Sequence, residues 1–281
     1  MDLSLSIVSF PVDEQTARDM AQLLEELPEQ QRMVLHPSLW RAAETRGFAV
    51  IAYTDQEELI GFAAAADIVG LHHYEWSLFV HPEYRRLSLG TALADGVSHA
   101  LAQRQAESQL AAFVDDAEIT AFMEKIGYHP DFNEILLSAE PLLGNPLPNG
   151  LAIVPYEGEE EALTELLAAA FDDTILPILQ HNMADPERQI WLLQKENQLV
   201  ATATLLTEEG ALWVTAFAVH PDQQGSGYGK LFLKWCRALA LERGLTKVLL
   251  DVETDNRALH VYEKSGFSRV QTISYWKPKA V

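Results

Sequence analysis

Residues 224–230 read Gln-Gly-Ser-Gly-Tyr-Gly-Lys, three glycines in five residues, between an apolar run ending at Val219 and a helix-like pattern opening at Tyr228. Glycine at that density lets the backbone approach a ligand without side chains in the way. N–H groups exposed at a helix N-terminus, with the positive end of the helix dipole behind them, make an anion site for a phosphate or pyrophosphate. Two familiar phosphate loops fail on spacing. A nucleotide P-loop requires four residues between its first glycine and Gly-Lys, then Ser or Thr; here three residues separate Gly225 from Gly229, and Leu231 follows Lys230. The dinucleotide fingerprint requires a third glycine where this chain has Lys230.

The elements that must position this loop follow from apolar periodicity. The pattern predicts a strand over 151–156, an amphipathic helix over 159–171, a helical segment over 174–183, and strands over 188–194, 198–207 and 211–219. Tyr228, Phe232, Trp235 and Leu239 recur at spacings of four, three and four in a helix over 228–243 that Gly244 stops. "KVLLDVE" is then a buried strand, "NRALHVYEKSG" a short helix opened by Asn256 or Asp255 and closed by Gly266, and "SRVQTISYW" a last strand. The fold class is α/β, a mixed sheet antiparallel at first and then crossing over through helices.

The same plan occurs twice. Val219-His220-Pro221 matches Val80-His81-Pro82 at an offset of 139, and Gly266-Phe267 matches Gly127-Tyr128 at the same offset. Upstream, "LVATATLLTEEG" follows "LIGFAAAADIVG" by 140 residues. The repeat is domain-sized, so the chain reads as tandem domains over 1–147 and 148–281, joined within the Pro- and Gly-rich "AEPLLGNPLPNG".

Composition narrows the partners. The net charge of −21 argues against nucleic acid, whose backbone needs a basic face. No apolar stretch has the length of a membrane span, and the first residues lack a basic region ahead of an apolar run, so a cytoplasmic location is expected. Cys236 is the sole cysteine and sits among Trp235 and Leu239, which suits a core position rather than a nucleophile. His72 and His73 lack a carboxylate or cysteine at ligand spacing and read as a strand end, so no metal site is expected. His220 and His81, each before a proline, read as structural loop residues. Nothing in the sequence fixes the oligomeric state.

Gln224, Gly227 and Gly229 match Arg/Gln-x-x-Gly-x-Gly/Ala, and "NRALHVYEKSGF" follows with a tyrosine four residues before Gly-Phe. Together, in this element order, they resemble the GNAT superfamily of N-acetyltransferases, and the chain is similar to its tandem members, in which one copy is often degenerate. The resemblance implies two acyl-CoA N-acyltransferase domains, with acetyl-CoA as cosubstrate. Its pyrophosphate would lie on Gln224, Gly225, Ser226, Gly227, Tyr228 and Gly229, near Lys230 and Asn256, and its pantetheine arm along the backbone of Phe217, Ala218 and Val219. A primary amine of a small molecule or peptide would attack the thioester directly in a ternary complex, with a backbone N–H of the splayed strand stabilising the developing oxyanion. Tyr262, whose hydroxyl ordinarily titrates near 10, would protonate the departing sulfur. For the base, Glu253, Asp251 or a water chain stay open, with Glu253 preferred. Taken alone, the glycines also suit a tight turn, Tyr262 core packing, and Asp251 and Glu253 a solvated strand end.

At the 139 offset the first copy has Ser88 for Gly227, Met123 for Tyr262 and Arg85 for Gln224, and keeps Gly90 for Gly229. Charge follows the same division. Residues 230–281 hold 10 Lys/Arg and 5 Asp/Glu, whereas residues 91–142 hold 2 and 9, so anionic coenzyme A should prefer the second copy and the first is expected to be non-catalytic. The acceptor's walls are expected from "DDTILPILQHNM", residues 172–183, and from Tyr275 and Trp276. A second functional class stays open, a binding or sensor module that recognises coenzyme A without turnover.

Overall fold

The computed structural model describes residues 3–25, 37–43, 45–67, 70–171, 175–254, 256 and 258–279. The chain forms two compact units, Met1–Glu134 with Gln271–Val281, and Ile135–Val270. Each unit draws on both repeats, because the later part of the last strand of each repeat is built into the other repeat's unit.

In the first unit the strands β1 (Leu3–Ser9), β2 (Arg46–Thr54), β3 (Leu59–Asp67) and β4 (His73–Val80) form an antiparallel run. Helix α1 (Glu14–Glu25) lies between β1 and β2 in the chain, and α2 (Leu89–Gln103) crosses from β4 to β5 (Ser108–Val114), which is parallel to β4. Helix α3 (Ala117–Lys125) follows, capped by Asp116, whose carboxylate accepts from the Glu118 N–H. Every residue of β3 is buried, since α1 packs on one face of the sheet and α2 on the other. Alanines 63–66 keep both helices close, and at Gly96 of α2 a Cβ would stand 2.7 Å from Val50. Close packing there admits no larger side chain without repacking.

The second unit repeats the plan. Strand β6 (Tyr128–Ala139) contributes its residues from Ile135 onward and lies beside β11 (Lys247–Glu253). Strand β7 (Leu151–Pro155) precedes helices α4 (Glu160–Ala170) and α5 (Ile175–Ala184). Strands β8 (Gln189–Lys195), β9 (Gln198–Glu208) and β10 (Ala211–Val219) extend the antiparallel run. Helix α6 (Tyr228–Glu242) then crosses to β11, which is parallel to β10, and α7 (Leu259–Lys264) follows. Phe232, Leu233, Cys236 and Ala240 of α6 pack on Leu212, Val214, Val248, Leu250 and Val252. Leu163, Leu166 and Leu167 of α4 cover the opposite face with Ile175 and Leu179 of α5. The helix expected over 174–183 is present from Ile175; residues 172–174 and Asp255 lie outside the described residues.

The chain's last strand, β12 (Ser268–Pro278), departs from its expected place. Its residues from Gln271 belong to the first unit, where Ile273 to Trp276 pair antiparallel with Val114 to Ala111 of β5. Trp276 enters the core formed by Trp76 and Tyr128, and Tyr275 stacks on Phe132 with ring centroids 4.5 Å apart. Both are nearly sealed from solvent, at 2% and 7% exposure. The expectation that Tyr275 and Trp276 wall the second repeat's acceptor pocket is therefore corrected: they are structural members of the first unit. Strand periodicity reveals an element's existence but not which sheet it completes.

Candidate active site

The glycine-rich loop begins where β10 ends. Pro221–Gln223 form one 3-10 turn, for which His220 is the cap: its Nδ1 accepts the Asp222 N–H at 3.2 Å. His81 does the same for Glu83 in the first repeat, at 3.3 Å, so both histidines have the structural role read from sequence. Gln224 folds back, its Nε2 donating to the Val219 carbonyl at 3.3 Å. Gly225 and Gly227 take φ values of +79° and +84°, left-handed backbone that L side chains rarely adopt, and a Cβ on either would meet open space. Gly227 is the N-terminal residue flanking α6 and caps it with no side chain, so the first-turn N–H groups at Tyr228–Lys230 face outward without intrahelical partners. Gly229 differs: a Cβ there would make ordinary van der Waals contact with Val219 at 3.4 Å and Phe217 at 3.5 Å, which places this turn of α6 against the strand.

Strands β10 and β11 pair only from Ala211↔Lys247 to Trp213↔Leu249. Both continue, to Val219 and Glu253, without pairing to each other, so a gap opens between them toward the glycine loop. On its other side β10 stays paired with β9, but the register slips between Thr215 and Ala218. This β-bulge carries Ala216 at φ +45°, an uncommon conformation for a non-glycine residue. The slip inverts side-chain parity. Leu212 and Val214 point to the α6 core before it, Phe217 and Val219 after it, and Ala218 turns to the α4–α5 face.

Tyr262 stands on α7 beside this gap, its ring centroid 6.2 Å from that of Phe217. Burial to 7% exposure pushes its phenol up to about 12, so it holds its proton at neutral pH. Ser265 at the end of α7 is buried, and its carbonyl accepts from Arg237 of α6 at 2.7 Å; the same guanidinium donates to the Glu140 carbonyl at 2.7 Å. Asn256 accepts the Ala258 N–H on Oδ1 at 2.8 Å, which fixes the chain entering α7. Glu253 is exposed at the end of β11, Ser226 on the loop and Lys230 in the first turn of α6. Cys236 is fully buried in the α6 core, which pushes its thiol far above its ordinary value, so it is a packing residue. Among the described residues no group of three or more His, Cys, Asp or Glu could hold a metal, and no helix is long and apolar enough to cross a membrane.

The residues present fit an anionic, pantetheine-bearing cosubstrate. The glycines leave a cradle lined by free N–H groups, and Phe217–Val219 offer strand backbone at the unpaired side of β10. A family model described as the acetyltransferase (GNAT) family matches the sequence twice, over residues 17–128 and 156–267. The chain belongs to the GNAT family of acetyltransferases. A mycothiol acetyltransferase of Rhodococcus opacus (strain B4) is 27% identical over 253 residues, covering 80% of this chain and 81% of its own length. Among solved structures, a GCN5-related N-acetyltransferase from Sphaerobacter thermophilus superposes with a TM-score of 0.72 at 20% identity, covering 98% of this chain and 97% of its own. A tandem GNAT protein from the clavulanic acid biosynthesis pathway gives a TM-score of 0.70 at 16% identity, over 97% and 98% of the two chains. Both structures share this chain's fold.

The first GNAT repeat keeps the loop's shape with different residues. Arg86 and Ser88 stand at the places of Gly225 and Gly227 with φ of +62° and +64°. Arg85 copies the Gln224 contact, its Nε donating to the Val80 carbonyl at 3.1 Å. Met123 replaces Tyr262 and is fully buried. Strand β4 runs without a bulge, in regular register with β3 from Asp67↔Tyr74 to Gly61↔Val80. Sequence reading missed the bulge, because residues 211–219 are apolar at every position but Thr215, so no alternation marks the strand's two faces.

Proposed function

We propose that this GNAT protein transfers an acetyl group from acetyl-CoA to a primary amine of a small molecule, and that the second unit performs the reaction. The observation that carries the reading is the opening between β10 and β11, with the glycine loop at its end and Tyr262 against Phe217. When bound, acetyl-CoA supplies the acetyl group as an activated thioester. The N–H groups of Tyr228–Lys230, with the loop Gln224–Gly227 before them, hold the pyrophosphate, assisted by Lys230; Asn256 shapes the neighbouring turn. Phe217, Ala218 and Val219 hold the pantetheine arm by strand-like backbone hydrogen bonds. An N–H at the bulge stabilises negative charge developing on the carbonyl oxygen as the amine attacks directly in a ternary complex. Tyr262 gives its proton to the departing sulfur, a task suited to a phenol that burial keeps protonated. Glu253, at the free end of β11, takes the amine's proton directly or through water.

Helix α5 and the sheet face beneath it supply the acceptor's wall, and the R. opacus relative, named for mycothiol acetylation, supports a small-molecule acceptor. The first unit does not catalyse, because Met123 has no proton to give and the gap-side strand lacks the bulge. The test pairs acetyl-CoA calorimetry with free-thiol release across a panel of amines. Binding with amine-dependent thiol release supports the reading. Binding without release from any amine would favour a coenzyme A-binding module, and absence of binding would overturn the site.

A further inference from the structure

A buried polar chain in the second unit has no part in the steps above. Asn182, on α5 and only 3% exposed, donates from Nδ2 to Oγ1 of Thr204 on β9, which is equally buried, at 3.3 Å. Arg188 donates from a terminal guanidinium nitrogen to Asn182 Oδ1 at 3.2 Å and is held by Asp185 through Nε at 3.2 Å. On the strand side, the Thr204 carbonyl accepts the hydroxyl of Thr215 at 3.4 Å. Thr215 is the last residue of β10 in register before the bulge, and Thr204 is its partner. Thr204 therefore connects α5 to the strand at the point where Ala216 turns to positive φ.

An asparagine is a poor choice where only packing is needed, since a buried amide left without partners costs about 1–3 kcal/mol. An alanine at positive φ likewise costs about 1–2 kcal/mol and persists only where its surroundings over-determine it. The two costs meet at one residue, Thr204. In the first repeat Ala64 occupies the register place of Thr204, opposite Ser77; the strand there is regular, and the Ser77 hydroxyl is buried with no hydrogen-bond partner among the described residues. The polar chain and the bulge are absent together from that strand pair.

We infer that Asn182 and Thr204 are positioning residues, which hold the bulge of β10 in its strained form and couple the acceptor-side helix α5 to it. The kinetic consequence rests on the acetyl-transfer reading; the structural consequence does not. Thr204→Val keeps the side chain's shape and removes the acceptor, while Thr204→Ser keeps the hydroxyl. The measurement compares kcat and KM for acetyl-CoA and for the amine, together with amide hydrogen exchange at 215–217 and at 225–230. Thr204→Val is expected to lower kcat about tenfold, to leave acetyl-CoA affinity within about twofold, and to speed exchange at 215–217 but not at 225–230. Thr204→Ser should stay close to wild type on every readout. Equal behaviour of Val and Ser, or unchanged exchange at 215–217 in the Val variant, would overturn the inference. If Thr204→Val does not fold, Asn182→Ala removes the donor from the helix side and is judged by the same readouts, with wild type in place of Ser as the reference. If wild type transfers acetyl to no amine, the catalytic reading fails, and the exchange data still decide this one.

Discussion

The two GNAT repeats share strand order, the crossover helix and even the backbone of the loop before it, yet differ at the few residues to which acetyl transfer is assigned in our proposal. In the second unit that loop has Gly225 and Gly227 at positive φ and open space around them; in the first, Arg86 and Ser88 take the same φ with side chains attached. In the second, β10 bulges at Ala216 and α7 presents Tyr262; in the first, β4 is regular and α3 buries Met123. The scaffold thus persists without the residues to which the chemistry is assigned. Non-glycine residues at positive φ each cost about 1 kcal/mol, an amount a well-packed unit absorbs. Met123, by contrast, offers no proton where Tyr262 is proposed to give one.

Four tests, one of them a reciprocal pair of changes, break or sharpen this comparison. The largest effect is expected from Tyr262→Phe, which like Met123 in the first repeat removes the proposed proton donor. Its kcat should fall by about a hundredfold or more, with acetyl-CoA affinity within about twofold, as measured by steady-state kinetics and calorimetry. An equal loss of affinity would mean that the ring only packs. Next comes Arg237→Ala, at a position where the first repeat has Ser98. Removing the guanidinium leaves the carbonyls of Ser265 and Glu140 without their charged donor and should cost roughly 1.5–3 kcal/mol of stability by denaturant titration. No change in the midpoint would show that water replaces it.

Gly227→Ser copies Ser88 into the second loop. The fold should survive, since Ser88 already adopts φ +64°, but acetyl-CoA affinity should weaken by about tenfold, whereas the reciprocal Ser88→Gly should leave affinity unchanged. The smallest effect concerns Glu75 in the first unit, whose carboxyl is pushed up to about 7, first by burial and then by the charge of Glu134. A carboxyl raised in this way favours the folded state below its unfolded value of 4.5, and that benefit is lost as pH rises through about 7. Glu75→Gln should therefore raise Tm at pH 8 by on the order of 3 °C relative to wild type, and by less at pH 5. A pH-independent difference between the two proteins would contradict the shift.

Much of this was legible in the sequence because it is local. The element order of the second repeat follows from apolar periodicity, and the glycine spacing 225, 227, 229 identifies the turn and the helix it opens. The roles of His220 as a loop residue and Cys236 as core also follow from immediate neighbours. The exchange of β6 and β12 was not legible, since "SRVQTISYW" suits either sheet and only tertiary pairing decides which one it completes. Tyr275 and Trp276 were misplaced for that reason. The bulge was hidden in a different way. Ala216 has no sequence signature for positive φ, and the change in side-chain parity around it is visible only once the strand's two faces are known. The chain from Asn182 through Thr204 to Thr215 joins three elements distant in sequence, so no spacing rule reports it.

Strand exchange also shapes the decisive experiment, because a fragment over 1–147 would lack the strand that completes the first unit, and the intact chain must be used. The measurement is a calorimetric titration of acetyl-CoA into the full-length protein, repeated with Gly227→Ser and with Ser88→Gly. One equivalent per chain, weakened by the change at Gly227 and unmoved by the change at Ser88, is the predicted result. Two equivalents, or affinity that responds to Ser88 instead, would contradict the assignment of acetyl-CoA to the second unit.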